Sequence, residues 1–250
     1  MSDVSDWWRT KIIDMEPGKI TLRGTPIQDL IGTVGFSEMI WLMVRGDRPT
    51  PDQLALFQAA LVSAVDHGPQ APSIAAARMA VTCGLPLNNA MASAVNMLGD
   101  VHGGAGQQAV ELYHWINAQP TDTKTALGQW RHDNGKMVPG FGHRFHKPTD
   151  PRAPRLMELV DHAVSQGVCD GTYQRIALEV EQALERVPMN IDGATAVIYA
   201  ELGFAPALAR GLFCLSRSVG ILAHAWEQTE QGGRNKGPTP PHYRWTYDGE

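Results

Sequence analysis

Residues 206–231 read PALARGLFCLSRSVGILAHAWEQTEQ, and this stretch decides the fold class. Its apolar residues lie nearly all round a helix, a pattern typical of a helix buried between other helices. Arg217 within it needs an acceptor, either a structural carboxylate or a substrate carboxylate, because an unpaired buried guanidinium is costly. His224 lies on nearly the same face and is interpreted as a packing histidine. Both residues also argue against a membrane span.

Helical patterns continue upstream of this segment. Thr50-Pro-Asp-Gln53 supplies a capping residue, a proline and a glutamine at the spacing that starts a helix. Gly and Pro clusters separate the further predicted helices, which span residues 75–83, 90–98, 107–116, 121–131, 154–165, 173–186 and 193–202. The best strand pattern, residues 19–23, is expected to pair with residues 8–13 across a turn. The chain is therefore predicted to be all-α with a short N-terminal hairpin.

The composition excludes several classes of function. The net charge is −5 and the 21 Lys and Arg are scattered, so no nucleic-acid track and no nucleic-acid partner are expected. The acidic start does not resemble a secretory signal, and a cytoplasmic location without membrane attachment is expected. Cys83, Cys169 and Cys214 lie far apart, so neither a disulfide framework nor a structural or catalytic metal is expected.

Three clusters set a titratable residue among glycines, where a backbone can approach a ligand. The first is Gly99-Asp-Val-His102-Gly-Gly-Ala105. His102 lies just before a predicted helix, where its ring is expected to share a pocket with exposed backbone N–H groups. The alternative is a surface histidine in a helix-breaking turn.

The second cluster is Val138-Pro-Gly-Phe-Gly-His143-Arg144, followed by Phe145-His-Lys147-Pro-Thr-Asp150-Pro-Arg152. It suits a phosphate-bearing or carboxylate-bearing ligand, because Arg offers a bidentate fork and Lys a point charge. The alternative is a solvated cationic loop.

The third cluster is Pro188-Met-Asn-Ile-Asp192-Gly-Ala-Thr195. Its Asp192 is either the N-cap of the helix that follows or a catalytic carboxylate.

Together and in this order the motifs resemble those of the citrate synthase superfamily. They are His102-Gly-Gly-Ala, Gly140-Phe-Gly-His143-Arg, Asp150-Pro-Arg152-Ala, Asn190-Ile-Asp192 and Arg217-Ser-Val-Gly with His224. The early Arg23-Gly-Thr-Pro-Ile-Gln-Asp-Leu30 is similar to the family's R-G-x-P-I-x-D-L. The likeness therefore covers nearly the whole chain.

Departures within the superfamily point to a subgroup. Its citrate synthases carry an H-x-D-H-E segment that contributes another histidine to oxaloacetate binding, whereas Pro72-Ser-Ile-Ala-Ala-Ala-Arg-Met79 has none. The short chain and the motifs Gly99-Asp-Val-His-Gly-Gly and Asn190-Ile-Asp-Gly193 look more like citryl-CoA lyases and the lyase module of ATP-citrate lyase.

The resemblance implies that His102, His143 and Asp192 are catalytic. In the cleavage direction His143 takes the proton of the tertiary alcohol of citryl-CoA, and oxaloacetate leaves. His102 then hydrogen-bonds the enol of acetyl-CoA, and Asp192 delivers a proton to its methylene carbon. A coenzyme A thioester is thus the implied substrate, with no metal and no permanently bound cofactor.

Ligand-binding residues follow from the same resemblance. Arg152 and Arg217 are expected to bind the carboxylates of the oxaloacetate portion. A further arginine is expected from the tail of a second subunit, with Arg234 as the first candidate and Arg244 as its competitor. The residues expected to bind coenzyme A are Val138, Gly140, Arg144, Lys147 and Arg186, with the backbone of residues 137–140 at the adenine.

The implied architecture is a reduced citrate synthase-like fold in a homodimer with shared active sites. Residues 1–105 and 206–250 are expected to form a large helical domain, and residues 106–205 a small one. The leading function is a citryl-CoA lyase that reversibly cleaves citryl-CoA to acetyl-CoA and oxaloacetate. One alternative is a citrate or 2-methylcitrate synthase-like transferase that joins an acyl-CoA to a 2-oxoacid. Another is a non-catalytic CoA-binding regulatory subunit.

Overall fold

The computed structural model describes residues 4–185 and 187–249. After a 3-10 turn at Val4–Asp6, its strands are β1 (Ile13–Glu16), β2 (Lys19–Leu22) and β3 (Thr25–Pro26). Its helices are α1 (Ile27–Leu30), α2 (Phe36–Arg45), α3 (Pro51–Ser63), α4 (Pro72–Thr82), α5 (Leu87–Val95), α6 (Ala105–Asn117), α7 (Thr123–Asn134), α8 (Arg152–Ser165), α9 (Thr172–Ala183), α10 (Ile191–Glu201) and α11 (Pro206–Gln231). The prediction of a mostly helical chain is confirmed.

The N-terminal hairpin forms, but its first strand lies later than predicted. β1 and β2 are antiparallel with Glu16 opposite Lys19, and β3 adds to β2. A two-residue turn therefore closes the hairpin, and Gly18 adopts a φ of 79° in it. So tight a turn makes the residues directly before it pair with β2, so that only Ile13 of the predicted strand 8–13 takes part. The third strand and the helices α1 and α2 had not been predicted.

The predicted capping box at the start of α3 is confirmed in both directions. Thr50 Oγ1 accepts from the backbone N–H of Gln53 at 3.2 Å, and Gln53 Oε1 accepts from the backbone N–H of Thr50 at 3.0 Å. The seven other predicted helices and the segment 206–231 also form, with ends displaced by a few residues. Local patterning is a good guide here because each helix has a clear Gly or Pro boundary.

By its internal contacts the chain divides into a unit up to Gln58 and a unit from Ala59 onward. In the second unit, α4, α5 and α11 pack on one another through small side chains, with Ala77, Ala90, Ala94 and Ile221 fully buried. The helix α10 packs on α6, α8 and α9, and nearly all of its residues are buried. The predicted division into residues 1–105 with 206–250 and residues 106–205 stays a prediction.

By length and composition alone, α11 is the one helix of the described residues that meets the criteria for a membrane span. Within the structure it packs on α4, α5 and α6 and carries the buried Arg217. One face of α11 is therefore packed within the protein.

Candidate active site

The loop between α7 and α8 is anchored to the start of α10. The backbone N–H of Asn190 donates to the Gly140 carbonyl at 3.0 Å, and the Gly142 N–H donates to the Pro188 carbonyl at 2.7 Å. The side-chain amide of Asn190 donates to the Gly142 carbonyl at 2.5 Å. Gly140 has a φ of 86°, and a Cβ there would lie 2.7 Å from the Cα of Gly193. Only glycine fits this crossing, which joins the second sequence cluster to the third.

Asp192 stands in the first turn of α10 without capping it. The N-cap is Asn190, whose Oδ1 accepts from the backbone N–H of Asp192 at 2.9 Å and of Gly193 at 3.2 Å. Among the described residues, the Asp192 carboxylate accepts no hydrogen bond. Burial raises the pKa of this carboxyl group, although the charges of Arg217 and Arg152 oppose the shift. The capping interpretation is wrong, because Asn190 caps the helix.

Arg217 is buried in α11 with 4% of its surface exposed. Its Nε donates to the Ala64 carbonyl at 3.1 Å, and its Cζ lies 4.9 Å from the centre of the Phe213 ring. Its side chain makes no other hydrogen bond within the described part of the chain. Burial lowers the pKa of the guanidinium, and the negative charges of Asp192 and Asp66 raise it in part. The terminal N–H groups therefore lack the acceptor that the sequence pattern requires.

Arg152 is held by a carboxylate from its own turn. Its Nε and one terminal nitrogen donate to the two oxygens of Asp150 at 2.9 and 2.8 Å. Asp150, only 1% exposed, also accepts from the backbone N–H of Ile191 at 3.1 Å. Burial alone would raise the pKa of Asp150, but the hydrogen bonds from Arg152 outweigh it, so the pKa is lowered. This ion pair ties the loop to the N-terminus of α10.

His102 is half-buried and has one ring nitrogen occupied. Its Nε2 accepts from the backbone N–H of Ser73 at 3.2 Å and lies 3.0 Å from the Ser73 hydroxyl oxygen. The neutral ring therefore carries its proton on Nδ1. Burial and the charge of Arg217 lower the pKa of His102. A Cβ at Gly106 would lie 3.9 Å from Oδ1 of Asp192. The first turn of α6, which follows the loop of His102, is therefore close to that carboxylate.

In His143 the other ring nitrogen is the acceptor. Its Nδ1 accepts from the backbone N–H groups of Phe145 and His146 at 3.1 and 2.8 Å. The neutral ring then carries its proton on Nε2, which is a hydrogen-bond donor. Burial lowers the pKa of His143, Asp150 raises it in part, and His146 and Arg152 lower it further. In this tautomer the nitrogen left for a ligand is a hydrogen-bond donor, and the catalytic role of His143 stays a prediction.

A third histidine joins this region, and sequence reasoning missed it. The His67 ring centre lies 5.1 Å from that of His143. Burial and the charge of Arg152 lower the pKa of His67. Residues 72–79 do lack the H-x-D-H-E segment, but His67, five residues upstream of them, was not considered. The signal was present in Asp66-His67-Gly68, a titratable pair beside a glycine.

The loop that carries His67 is pinned to α11. Asp66 Oδ1 lies 3.2 Å from Nε2 of His224, and Nδ1 of that ring lies 3.2 Å from a terminal nitrogen of Arg78. Arg78 also donates to Glu227 at 2.5 Å. Burial alone would raise the pKa of Asp66, but hydrogen bonds from Gly68 and His224 outweigh it, so the pKa is lowered. His224 is thus a packing and positioning histidine, as its sequence context indicated.

The two arginines connect the residues that the sequence singled out. The charge of Arg217 affects the pKa of both His102 and Asp192. The charge of Arg152 affects the pKa of both His143 and Asp192. The structure therefore brings two histidines, one carboxylate and two guanidiniums into one region, which suits acid–base chemistry on a ligand with carboxylate groups.

The residues expected to bind coenzyme A differ in their surroundings. Val138 and Gly140 line a cavity of about 800 Å³, together with Trp115, Trp130 and Met137. The side chains of Arg144 and Lys147 are exposed. Arg186 lies outside the described residues. The roles of all these residues stay predictions.

Among the described residues, neither tail arginine forms a hydrogen bond or an ion pair with the other site residues. The backbone N–H groups of Asn235 and Lys236 donate to Thr82 at 2.8 and 3.0 Å, which holds the start of the tail at the end of α4. Arg234 and Arg244 are both exposed. Their predicted role in the site of a second subunit stays a prediction.

Comparison with protein families gives a match over most of the chain. A family model described as "Citrate synthase, C-terminal domain" matches residues 3–64 and 55–239. The citrate synthase of Acidithiobacillus ferridurans is 30% identical over 193 residues, which cover 74% of this chain and 50% of that protein. The citrate synthase of Haloferax volcanii is 30% identical over 75% of this chain and 50% of that protein. The chain thus spans about half the length of these curated relatives.

Comparison with solved structures extends over nearly the whole chain. The structure of citryl-CoA lyase from Hydrogenobacter thermophilus matches with a TM-score of 0.87 and 29% identity, covering 98% of this chain and 95% of that one. ATP citrate lyase from Methanothrix soehngenii, in complex with citrate and coenzyme A, matches with a TM-score of 0.84 and 20% identity, covering 98% and 42%. At that identity the second match bears on the fold alone.

Proposed function

Because the chain belongs to the citrate synthase family, we propose that it is a citryl-CoA lyase that reversibly cleaves citryl-CoA to acetyl-CoA and oxaloacetate. The observation that carries the chemistry is the Asp192 carboxylate, which is set in a buried helix start with a raised pKa and with no hydrogen bond from the described residues. The choice of a lyase within the family rests on the citryl-CoA lyase match, since this chain covers 95% of that protein.

The enol half of the reaction belongs to Asp192 and His102. In the cleavage direction, breaking the carbon–carbon bond leaves the enol of acetyl-CoA. Neutral His102 donates from Nδ1 to the thioester oxygen, because Ser73 occupies its other nitrogen. Asp192 in its protonated form then delivers a proton to the methylene carbon, and a raised pKa favours that form. In reverse, the ionised carboxylate removes the same proton.

The oxoacid half of the reaction belongs to His143 and the two arginines. His143 donates from Nε2 to the oxygen that becomes the ketone of oxaloacetate, which stabilises the alkoxide formed when the alcohol proton passes to water. Arg217 offers its terminal N–H groups to one carboxylate of the ligand. Arg152 offers a terminal nitrogen from a guanidinium already fixed by Asp150, and His67 stands beside it.

Coenzyme A is proposed to place its adenine in the cavity beside Val138 and Gly140. The aromatic rings of Trp115 and Trp130 line that cavity, and a planar base stacks well on such rings. Exposed cations, Arg144 and Lys147, are proposed to meet the phosphates, with Arg186 as a further candidate from sequence.

A homodimer is proposed from the surface of α11 and from the tail. Leu215, Val219, Leu222 and Trp226 are 41–58% exposed on this helix, and a second copy of the chain would cover them. The tail from Gly232 onward is exposed and carries the candidate Arg234. Sedimentation of the full chain, compared with a chain that ends at Gln231, would show whether residues beyond α11 are needed for a second copy to bind.

The test of the lyase proposal is incubation of the purified chain with citryl-CoA. Acetyl-CoA and oxaloacetate should appear in equal amounts, and oxaloacetate can be followed by coupling it to malate dehydrogenase and NADH. A His132→Gln chain, altered at an exposed ring in α7, is the matched control and should react at the same rate. Absence of oxaloacetate with active controls would contradict a lyase.

The second candidate is a condensing enzyme that joins an acyl-CoA to a 2-oxoacid and releases free coenzyme A. It is favoured by the curated relatives, which are named citrate synthases. The ring of His67 beside His143 also favours it, since it offers another histidine to a 2-oxoacid. A thiol reagent separates the two functions, since steady release of free coenzyme A from acetyl-CoA and oxaloacetate requires hydrolysis of the citryl thioester. A chain without either activity would leave the regulatory-subunit alternative.

A further inference from the structure

One face of the helix α11 holds the segment that leads from α3 to His67. Four residues of α11 contact this segment and fall within about 100° of one another around the helix. In order along α11, the contacts are Ser216 with the Leu61 carbonyl, Arg217 with the Ala64 carbonyl, Gly220 with the Val65 carbonyl, and His224 with the Asp66 carboxylate. The segment therefore follows α11 from Leu61 to Asp66, and His67 comes directly after the last contact.

Gly220 is the point at which α11 and the segment approach most closely. Its backbone N–H donates to the Val65 carbonyl at 3.1 Å. A Cβ at Gly220 would overlap that carbonyl oxygen and lie 3.0 Å from Oδ1 of Asp66. Gly211 in the same helix differs, since a Cβ there would meet no atom within 4 Å. Only glycine at position 220 lets the residues before His67 lie this close to α11.

His224 extends the contact to the residue next to His67. A terminal nitrogen of Arg78, which is always a donor, lies 3.2 Å from Nδ1 of His224. Nδ1 is therefore the acceptor, and Nε2 donates its proton to Asp66 at 3.2 Å. The Asp66 carboxylate also accepts from the backbone N–H of Gly68 at 3.2 Å. The backbone is thus tied to α11 on both sides of His67.

The ring of His67 reaches the other histidines from this fixed backbone. Its centre lies 5.1 Å from that of His143 and 6.0 Å from that of His146. Burial lowers the pKa of His67, and the charges of Arg152 and Arg217 lower it further, so the ring is neutral at pH 7 and offers an N–H group. The positive charges around this ring suit an anionic ligand.

We propose that Gly220 and His224 are positioning residues, which place His67 in contact with the oxoacid portion of the ligand. They act through the backbone of Val65 and the carboxylate of Asp66. The inference rests on the proposed function, which puts an oxoacid in this region. Loss of either contact should weaken binding of the oxoacid portion and affect the chemical steps less, because the enol half of the reaction belongs to other residues.

The first experiment measures the position of His67 without any activity. The full chain is labelled with ¹³C-histidine, and the ring signals are followed by NMR as the pH changes. The signal of His67 is the one that is absent from a His67→Gln chain. Its pKa should lie below the ordinary 6.5 in the parent and in Gly211→Ala, and should move towards 6.5 in Gly220→Ala, because the displaced ring leaves the nearby charges. An unchanged pKa in Gly220→Ala would overturn the proposal.

The second experiment measures cleavage over a range of citryl-CoA concentrations. Gly220→Ala should raise KM at least about tenfold, as expected when a hydrogen bond to a charged ligand is lost, and should lower kcat less. Gly211→Ala should react as the parent does. In a chain that already carries His67→Gln, the change Gly220→Ala should alter KM by less than about twofold, because its effect passes through the missing ring. A further tenfold rise in that background would refute the positioning of His67 by Gly220.

A pair of variants at His224 provides the same test if Gly220→Ala does not fold. His224→Leu removes the donor to Asp66 and should raise KM about as much as loss of the His67 ring does. His224→Gln keeps a donor and an acceptor and should restore most of the affinity. Equal KM values in these two chains would contradict the role of His224. A parent chain that shows the expected shifts of the His67 pKa but never cleaves citryl-CoA would overturn the proposed function and leave the positioning of His67 standing.

Discussion

Two aspartate–arginine pairs lie in the same region and differ in how the partners meet. Asp150 and Arg152 are joined by two direct hydrogen bonds at 2.8 and 2.9 Å, and the aspartate also holds the N–H of Ile191. Asp192 and Arg217 influence each other's pKa, but neither side chain donates to or accepts from the other. The pKa of Asp150 is lowered, whereas that of Asp192 is raised.

The difference shows how the same two residue types acquire different roles. The Asp150 carboxylate accepts hydrogen bonds from a guanidinium and a backbone N–H, which lower its pKa and keep it ionised. The same bonds fix the loop on α10. A carboxylate that is desolvated without a bonded partner gains a proton readily and is suited to acid–base work. An arginine whose terminal nitrogens lack a protein acceptor is suited to bind a ligand carboxylate. The predictions below use this contrast.

The largest effect is expected when the unbonded carboxylate is replaced. Asp192→Asn removes the proton donor and keeps the size of the side chain, so the rate of citryl-CoA cleavage should fall by about a hundred- to ten-thousand-fold. Exchange of the acetyl-CoA methyl protons with deuterated water, followed by mass spectrometry, should fall in parallel. Binding of coenzyme A should change little, since the cavity proposed for its adenine is lined by other residues. Unchanged exchange would remove Asp192 from the mechanism.

The next effect is expected on stability rather than on chemistry. Asp150→Asn leaves the Arg152 guanidinium without its counter-charge, so the free energy of unfolding should fall by about 3 kcal/mol at pH 7. Urea unfolding followed by circular dichroism measures this loss. Asp192→Asn is the matched comparison, because it makes the same chemical change without breaking a hydrogen bond of the described residues. If both variants lost the same stability, the contrast between the two pairs would fail.

Much of the fold was predictable because its helices have strong local signals. The segment 206–231 forms the helix α11 over its full predicted length, and the capping box at Thr50 forms as its residues require. The helix α2 was missed, although it carries the buried Trp41 and Leu42 and ends at a left-handed Gly46. The hairpin register was also missed, because it depends on the two-residue turn and not on strand pattern alone.

Less of the site was predictable, because its roles depend on contacts between distant segments. The three clusters named His102, His143 and Asp192, but the sequence left Asp192 with a choice between capping and catalysis. The hydrogen bonds that Asn190 Oδ1 accepts from the backbone exclude the capping role, and the catalytic role stays a prediction. The tautomers of the two histidines depend on which backbone N–H groups reach them, and His67 was missed because no local pattern links it to residues 76 positions later.

A smaller effect is expected when Arg217, whose terminal nitrogens have no bonded acceptor among the described residues, is replaced. Arg217→Lys keeps a positive charge but loses the planar fork, so KM for citryl-CoA should rise by about ten- to a hundred-fold while kcat changes less. The reaction is followed by the oxaloacetate-coupled assay over a range of substrate concentrations. Arg210→Lys, in the same helix and paired with Asp100, is the control and should leave KM unchanged. An equal rise in both variants would mean that Arg217 acts only through the helix.

The smallest effect is a difference in how stability depends on pH. Because the pKa of Asp150 is lowered in the folded chain, its contribution is present above its ordinary pKa of 3.8 and is lost as the pH falls through the lowered value. Because the pKa of Asp192 is raised, its contribution is favourable at low pH and is lost as the pH rises through the raised value.

Of the two asparagine variants, only Asp192→Asn should therefore change its stability relative to the parent chain as the pH rises from 4 to 8. The deficit of Asp150→Asn should stay at its full size across this range, since the parent carboxylate is ionised throughout. Asp192→Asn should gain stability relative to the parent, because the parent must ionise a desolvated carboxyl group and the variant has none to ionise. Urea unfolding at four or five pH values measures both. A parent chain that gained on Asp192→Asn with rising pH would mean that Arg217 stabilises the ionised carboxylate more than burial opposes it, and the two pairs would then be alike.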